Sequence, residues 1–97
     1  MIEDSDAALK EQLASIELMH AVKRLQNNLD FQNVISRGYL NNAVLSMVFS
    51  LGGANEEDRK VILEGLVAAS VFNDYLVNLT QQGEKALDSK IDLSNGD

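Results

Sequence analysis

His20 is the single imidazole of the chain, and there is no cysteine. Imidazole is a common general base and metal ligand. Either role needs converging partners. The nearest acid on its face is Glu17, three residues earlier, and one His with one Glu lacks the further ligands a zinc site requires. His20 is accordingly read as a surface or interface residue. The densest carboxylate run, Glu56-Glu57-Asp58, is a second candidate for cation binding. Successive helix residues point about 100° apart, so these three do not converge. Placement at a helix start, where the dipole favours negative charge, accounts for them.

Three further patterns fail on spacing. Asp92, Ser94, Asn95, Gly96 and Asp97 are loosely like a calcium loop, but Gly96 stands one position early and no bidentate Glu follows. Gly52-Gly53 has neither the spacing nor the lysine of a phosphate-binding loop. No Ser, His and Asp can be assembled into a nucleophilic triad around His20, and no thiolate chemistry is available without cysteine. The sequence thus predicts no catalytic residue, no cofactor, no metal and no small-molecule substrate. The chain is read as a protein that is not an enzyme.

Charge narrows the partners. Fifteen acidic against 8 basic side chains give a net charge of −7. Phosphate backbones call for clustered Lys and Arg, whereas the basic doublets here are Lys23-Arg24 and Arg59-Lys60, the second offset by the preceding Glu56-Glu57-Asp58. A helix-turn-helix built around Gly52-Gly53 would present Glu56, Glu57 and Asp58 to the bases and repel a duplex. No nucleic-acid partner is expected, and anionic membrane surfaces are disfavoured on the same ground. The longest apolar stretch noted, Ala43 to Ala54, holds Ser46, Ser50, Gly52 and Gly53 and falls short of the roughly 20 residues a bilayer span takes. The acidic Met1-Ile2-Glu3-Asp4-Ser5-Asp6 lacks the basic start of a secretory signal. The expected setting is the cytoplasm, with no membrane partner.

Ninety-seven residues allow one compact domain. With no proline and abundant strong helix formers, the punctuation comes from Gly and Asn. A first helix is predicted from an N-cap at Ser5 or Asp6 to about Asn28. It carries two offset apolar stripes, Leu9, Leu13 and Ile16 beside Leu18, Val22, Leu25 and Leu29, which implies a twisted contact surface or two neighbours. Asp30 is the expected cap of a short helix bearing Phe31, Val34 and Ile35, ended by a left-handed Gly38. Asn41 or Asn42 would cap another short helix, Ala43 to Leu51, closed by Gly52-Gly53. Only Ser46 and Ser50 break its apolar surface, a pattern that calls for burial on all sides. A small monomer offers few such places, so this helix points to oligomerisation.

The last helix is capped by Asn55. Ile62, Gly65, Ala69, Phe72, Leu76, Leu79, Gly83 and Ala86 alternate steps of three and four, a coiled-coil-like seam whose small residues admit a close partner. Val61, Ala68 and Tyr75 form a parallel row that widens the buried face. Thr80-Gln81-Gln82-Gly83 weakens the helix, and from about Ser89 the period is lost. The seam serves either an intramolecular core or a subunit interface, and one helix can do both. The candidate interface is Val44, Leu45, Val48, Phe49, Gly65, Ala69, Phe72, Leu76, Leu79 and Gly83.

Leu25-Gln26-Asn27-Asn28-Leu29-Asp30-Phe31-Gln32-Asn33-Val34-Ile35, followed by Gly38-Tyr39-Leu40 and Ala43, resembles small acidic helical proteins encoded among the virion-structure and assembly genes of tailed bacteriophages. The likeness covers about 20 residues here, with a looser one through Val71, Tyr75, Leu76 and Gly83. It departs at the apolar Ala43 to Leu51, where those proteins carry a charged helix. The resemblance implies an assembly or virion-associated role and transfers no site.

The predicted fold is all-α: a small antiparallel bundle of two long helices flanking two short ones, cornered at Gly38 and Gly52-Gly53, with a domain over 1–88 and a mobile tail over 89–97. The predicted core is Leu13, Ile16, Val22, Leu25, Phe31, Val34, Ile35, Tyr39, Val44, Leu45, Val48, Phe49, Ile62, Leu66, Ala69, Phe72, Leu76 and Leu79. The expected function is non-enzymatic structure or assembly, with a second copy or a larger particle as partner. The alternative is an acidic inhibitor or adaptor on a basic site of another protein, steered by charge.

Overall fold

A computed structural model describes the backbone of residues 2–95 and the side chains of residues 6–89. Every element is helical, and no strand occurs among the described residues. Helix α1 spans Ile2–Gln26. Helix α2, Leu29–Phe31, leads into a π-helical stretch, Gln32–Ala43, then α3, Val44–Ser50, and a 3-10 turn, Leu51–Gly53. Helix α4 spans Glu56–Asn95. Gln32, Val44 and Leu51, at the junctions, all keep right-handed helical angles. The middle pieces are therefore one continuous run, and the chain is three helices with breaks at 27–28 and 54–55.

The corner expected at Gly38 is absent, since no glycine among the described residues adopts positive φ. Gly38 instead sits inside the π-helical stretch, where a Cβ would stand 2.8 Å from the carbonyl oxygen of Asn33, five residues back. Widening to a π-turn brings that carbonyl close, and only a residue without a side chain fits. A π-helix longer than one turn is uncommon, and its longer period rotates Val34 away from the face that holds Phe31 and Ile35. Gly52-Gly53 does mark the end of the run, but as the close of a 3-10 turn, with the extended residue at Ala54.

Caps sit partly where expected. Asn55 Oδ1 accepts from the Asp58 amide at 2.8 Å, with Glu56, Glu57 and Asp58 in the first turn of α4. The break before α2 is capped by Asn28, not Asp30: Asn28 Oδ1 accepts from the Phe31 amide at 2.9 Å. The Gln32 side-chain amide donates to the Gln26 carbonyl at 2.7 Å, satisfying an acceptor left open at the end of α1. Ser5 and Asp6 lie within α1, and Asn41 and Asn42 within the π-helical stretch, so none of these caps a helix. Helix α4 also runs on past Ser89 to Asn95, where a tail was expected; residues 96–97 lie outside the described range.

The chain divides into two compact units: residues up to Arg24 with those from Leu76 onward, and Leu25–Tyr75. In the first, Ile16, Met19 and Val22 of α1 are buried, as are Leu76 and Gly83 of α4. A Cβ on Gly83 would collide with Met19 Cβ and stand 2.8 Å from the Ser15 carbonyl. The glycine that weakens the helix by propensity is thus what lets the backbones meet. The buried row steps by three between the two stripes read from sequence, leaving Leu9, Leu13 and Leu18 exposed. In the second unit the helical run from Leu29 and the first part of α4 form a hairpin. Tyr39 meets Phe72 edge-on at 5.9 Å between ring centroids, and Met47 Sδ would lie 2.9 Å from a Cβ on Gly65. Ala69 is its buried residue; Phe31, Ile35, Tyr39, Val44, Ile62, Leu66 and Phe72 are half-buried.

Candidate interaction surface

The residues with chemical potential stay apart. His20 is exposed, and Glu17, its nearest acid, pairs instead with Arg24 at 3.3 Å. That contact joins exposed groups and adds at most about 1 kcal/mol. Among the described residues no three His, Asp or Glu side chains gather in a way that could hold a metal. Two open hollows lie among the described residues. One hollow of about 600 Å³ is lined by Glu56, Arg59, Lys60, Leu63, Glu64 and Val67, all from one flank of α4, so nothing faces it from within the unit. A smaller groove of about 270 Å³ lies in the hairpin between Leu40 and Val44 on one side and Leu66, Ala69, Ser70 and Asn73 on the other.

What the surface does offer is apolar area. Pairing two helices covers one flank of each, and the other flank of both arms of the hairpin remains apolar. On α3, Phe49 is 82% exposed, with Leu45 and Val48 beside it. The expectation that this helix is buried on all sides is not met within the chain, and none of its residues is buried. Val34 and Leu25, placed in the core by sequence, are likewise exposed. On α4 the row Val61, Ala68 and Tyr75 faces out and does not widen the buried face.

The ten candidate interface residues thus separate. Gly65, Ala69 and Phe72 line the hairpin, while Leu76, Leu79 and Gly83 lie on the part of α4 that belongs with α1; none of the six is exposed. Val44 is half-buried. Leu45, Val48 and Phe49 are left open. Sequence reasoning missed a further set, Leu63, Val67 and Val71, which stand on the flank of α4 opposite the seam. Their signal was their spacing of four, plain in the sequence but overshadowed by the longer seam.

A related signal was also passed over. Helix α4 over Glu56–Ser89 contains an 18-residue window long and apolar enough to cross a membrane by length and composition, and only 11% of that window is buried. Glu64 and Asp74 interrupt its apolar residues, so Ala43 to Ala54 is the longer stretch free of charge. Comparisons with family models, with curated proteins and with solved structures found no match.

Proposed function

We propose that the chain is a non-enzymatic structural or assembly protein that works by helix–helix self-association or by docking on a larger particle. The observation that supports this is the exposed apolar flank of the hairpin, above all Phe49 at 82% exposure with Leu45 and Val48. Burying such side chains stabilises by about 1.5–3 kcal/mol each, and contiguous apolar surface on a small protein marks an interaction site more often than a free face. On this reading the working form is an antiparallel helical bundle completed by another molecule. The resemblance of residues 25–43 to small phage virion and assembly proteins motivates a particle as the larger partner.

The charge of −7 favours a second reading, an acidic inhibitor or adaptor that docks on a basic site. Its carboxylates are spread along the helices, which is less apt for a single basic cleft. Solution mass by light scattering behind size exclusion, at low and high salt, separates the two. Association through apolar flanks gives a discrete oligomer that survives high salt, because hydrophobic burial is not screened. A monomer at both salt concentrations contradicts self-association and turns the search to a basic partner.

A further inference from the structure

Leu63, Val67 and Val71 step by four along α4 and are 51%, 62% and 62% exposed. They lie about 200° round the helix from Gly65 and Ala69, which face the other arm of the hairpin. The row is bracketed by opposite charges: Lys60 precedes it on the same flank and Asp74 follows it, both exposed and neither in an ion pair among the described residues. Lys60 and Asp74 are each seven positions from Val67, and Leu63 and Val71 each four. About Val67 the apolar positions 63 and 71 mirror one another and the charges at 60 and 74 reverse, while Glu64 on the same flank falls opposite the uncharged Ser70.

A surface with that pattern is complementary to itself about a two-fold axis, which is the requirement for an isologous dimer. We propose that this flank of α4 is a homodimer interface in which two copies of α4 cross antiparallel at Val67. Val67 then meets its own counterpart, Leu63 packs on Val71 of the second copy, and Lys60 pairs with Asp74 at both ends. The two charges stand about 21 Å apart along one helix, at 1.5 Å per residue, so they cannot pair within a chain. A parallel crossing would set Lys60 against Lys60 and Asp74 against Asp74, and is disfavoured by like charge. The inference rests on the self-association reading above and names the face that performs it.

Charge reversal tests it in the full chain, read as dimer dissociation constants from light scattering over a concentration series at low salt. Lys60→Glu and Asp74→Lys each weaken the dimer several-fold, and the double variant recovers most of the loss, because reversal of both restores the two pairs. Val67→Asp, at an exposed position, sets two carboxylates against each other at the axis and weakens the dimer at least tenfold, while circular dichroism stays helical. Because the chain has no cysteine, Val67→Cys forms a disulfide-linked dimer under mild oxidant, whereas Lys60→Cys does not. An oligomer that is indifferent to Val67→Asp, with no recovery in the double variant, overturns this interface and leaves the self-association reading standing. A wild-type chain that is monomeric up to its solubility limit overturns both. Transfer of the wild type onto neutral phosphatidylcholine vesicles, abolished by Val67→Asp in a chain that forms no dimer, assigns the flank to a membrane and also overturns the proposal.

Discussion

Where α1 meets the later part of α4, Met19 is 1% exposed and Gly83 is closed against the Ser15 carbonyl and the Met19 Cβ. In the hairpin of Leu25–Tyr75, Ala69 is buried and its other inward-facing residues remain half-open. There Gly65 faces the tip of a flexible Met47 side chain instead of a backbone atom. Both contacts use a glycine on the same helix and a methionine on the facing one, yet one is locked and the other adjustable. A glycine opposite backbone sets the distance between two helices, since nothing there can move aside. A glycine opposite a thioether leaves that distance open to repacking. The tight contact leaves Leu9, Leu13, Leu18 and Val77 partly open, none beyond 47%, whereas the loose one carries the flanks of α3 and α4, open to as much as 82% at Phe49. The hairpin is thus the region with the more exposed apolar flanks, and on the function proposed above it is the one that another molecule covers.

Truncation at the tight contact tests this most severely. Met19→Ala removes the most buried large side chain and should cost about 2–5 kcal/mol in chemical denaturation. Gly83→Ala comes next. Its methyl group meets atoms that cannot yield, so overpacking of about 1–3 kcal/mol outweighs the roughly 1 kcal/mol that Ala gains over Gly in a helix. A lower thermal midpoint is expected, and an unchanged or raised one would show that the two helices separate freely there. The same substitution in the hairpin, Gly65→Ala, should behave oppositely. Met47 Sδ can move by a few tenths of an ångström, so the helix propensity of up to about 1 kcal/mol is retained and the midpoint stays level or rises. Phe49→Ser has the smallest expected effect on the isolated chain, within about 0.5 kcal/mol, because that ring is already in solvent. The α4 crossing proposed above leaves that ring uncovered, so the dimer mass should be unchanged and only docking on a larger partner should weaken.

The class of the fold was legible in the residues because proline is absent and helix formers dominate throughout. The seam on α4 was legible too, since a run alternating three and four has one face whatever it packs on. None of its eight residues, Ile62, Gly65, Ala69, Phe72, Leu76, Leu79, Gly83 and Ala86, is exposed. The middle of the chain was not. A π-helical stretch over Gln32–Ala43 changes the period on which the reading depends, and Gly38 was taken for a corner when it is the residue that tolerates the i−5 carbonyl. Burial on α3 was overestimated for a different reason. An apolar helix needs cover, but its sequence does not state whether that cover comes from the same chain. Met19 was the reverse case. It belongs to neither apolar stripe, yet the buried line of α1 crosses from one stripe to the other through it, by way of Ile16, Met19 and Val22.

Amide hydrogen exchange, followed at a low and a high protein concentration, bears most directly on the claim that the hairpin is completed by another molecule. Amides of residues 61–75 should exchange more slowly as concentration rises, while those around Ile16, Met19 and Val22 keep one rate. Exchange that is independent of concentration throughout the chain would contradict the account, since the apolar flanks would then stay open to water at any concentration of a second copy.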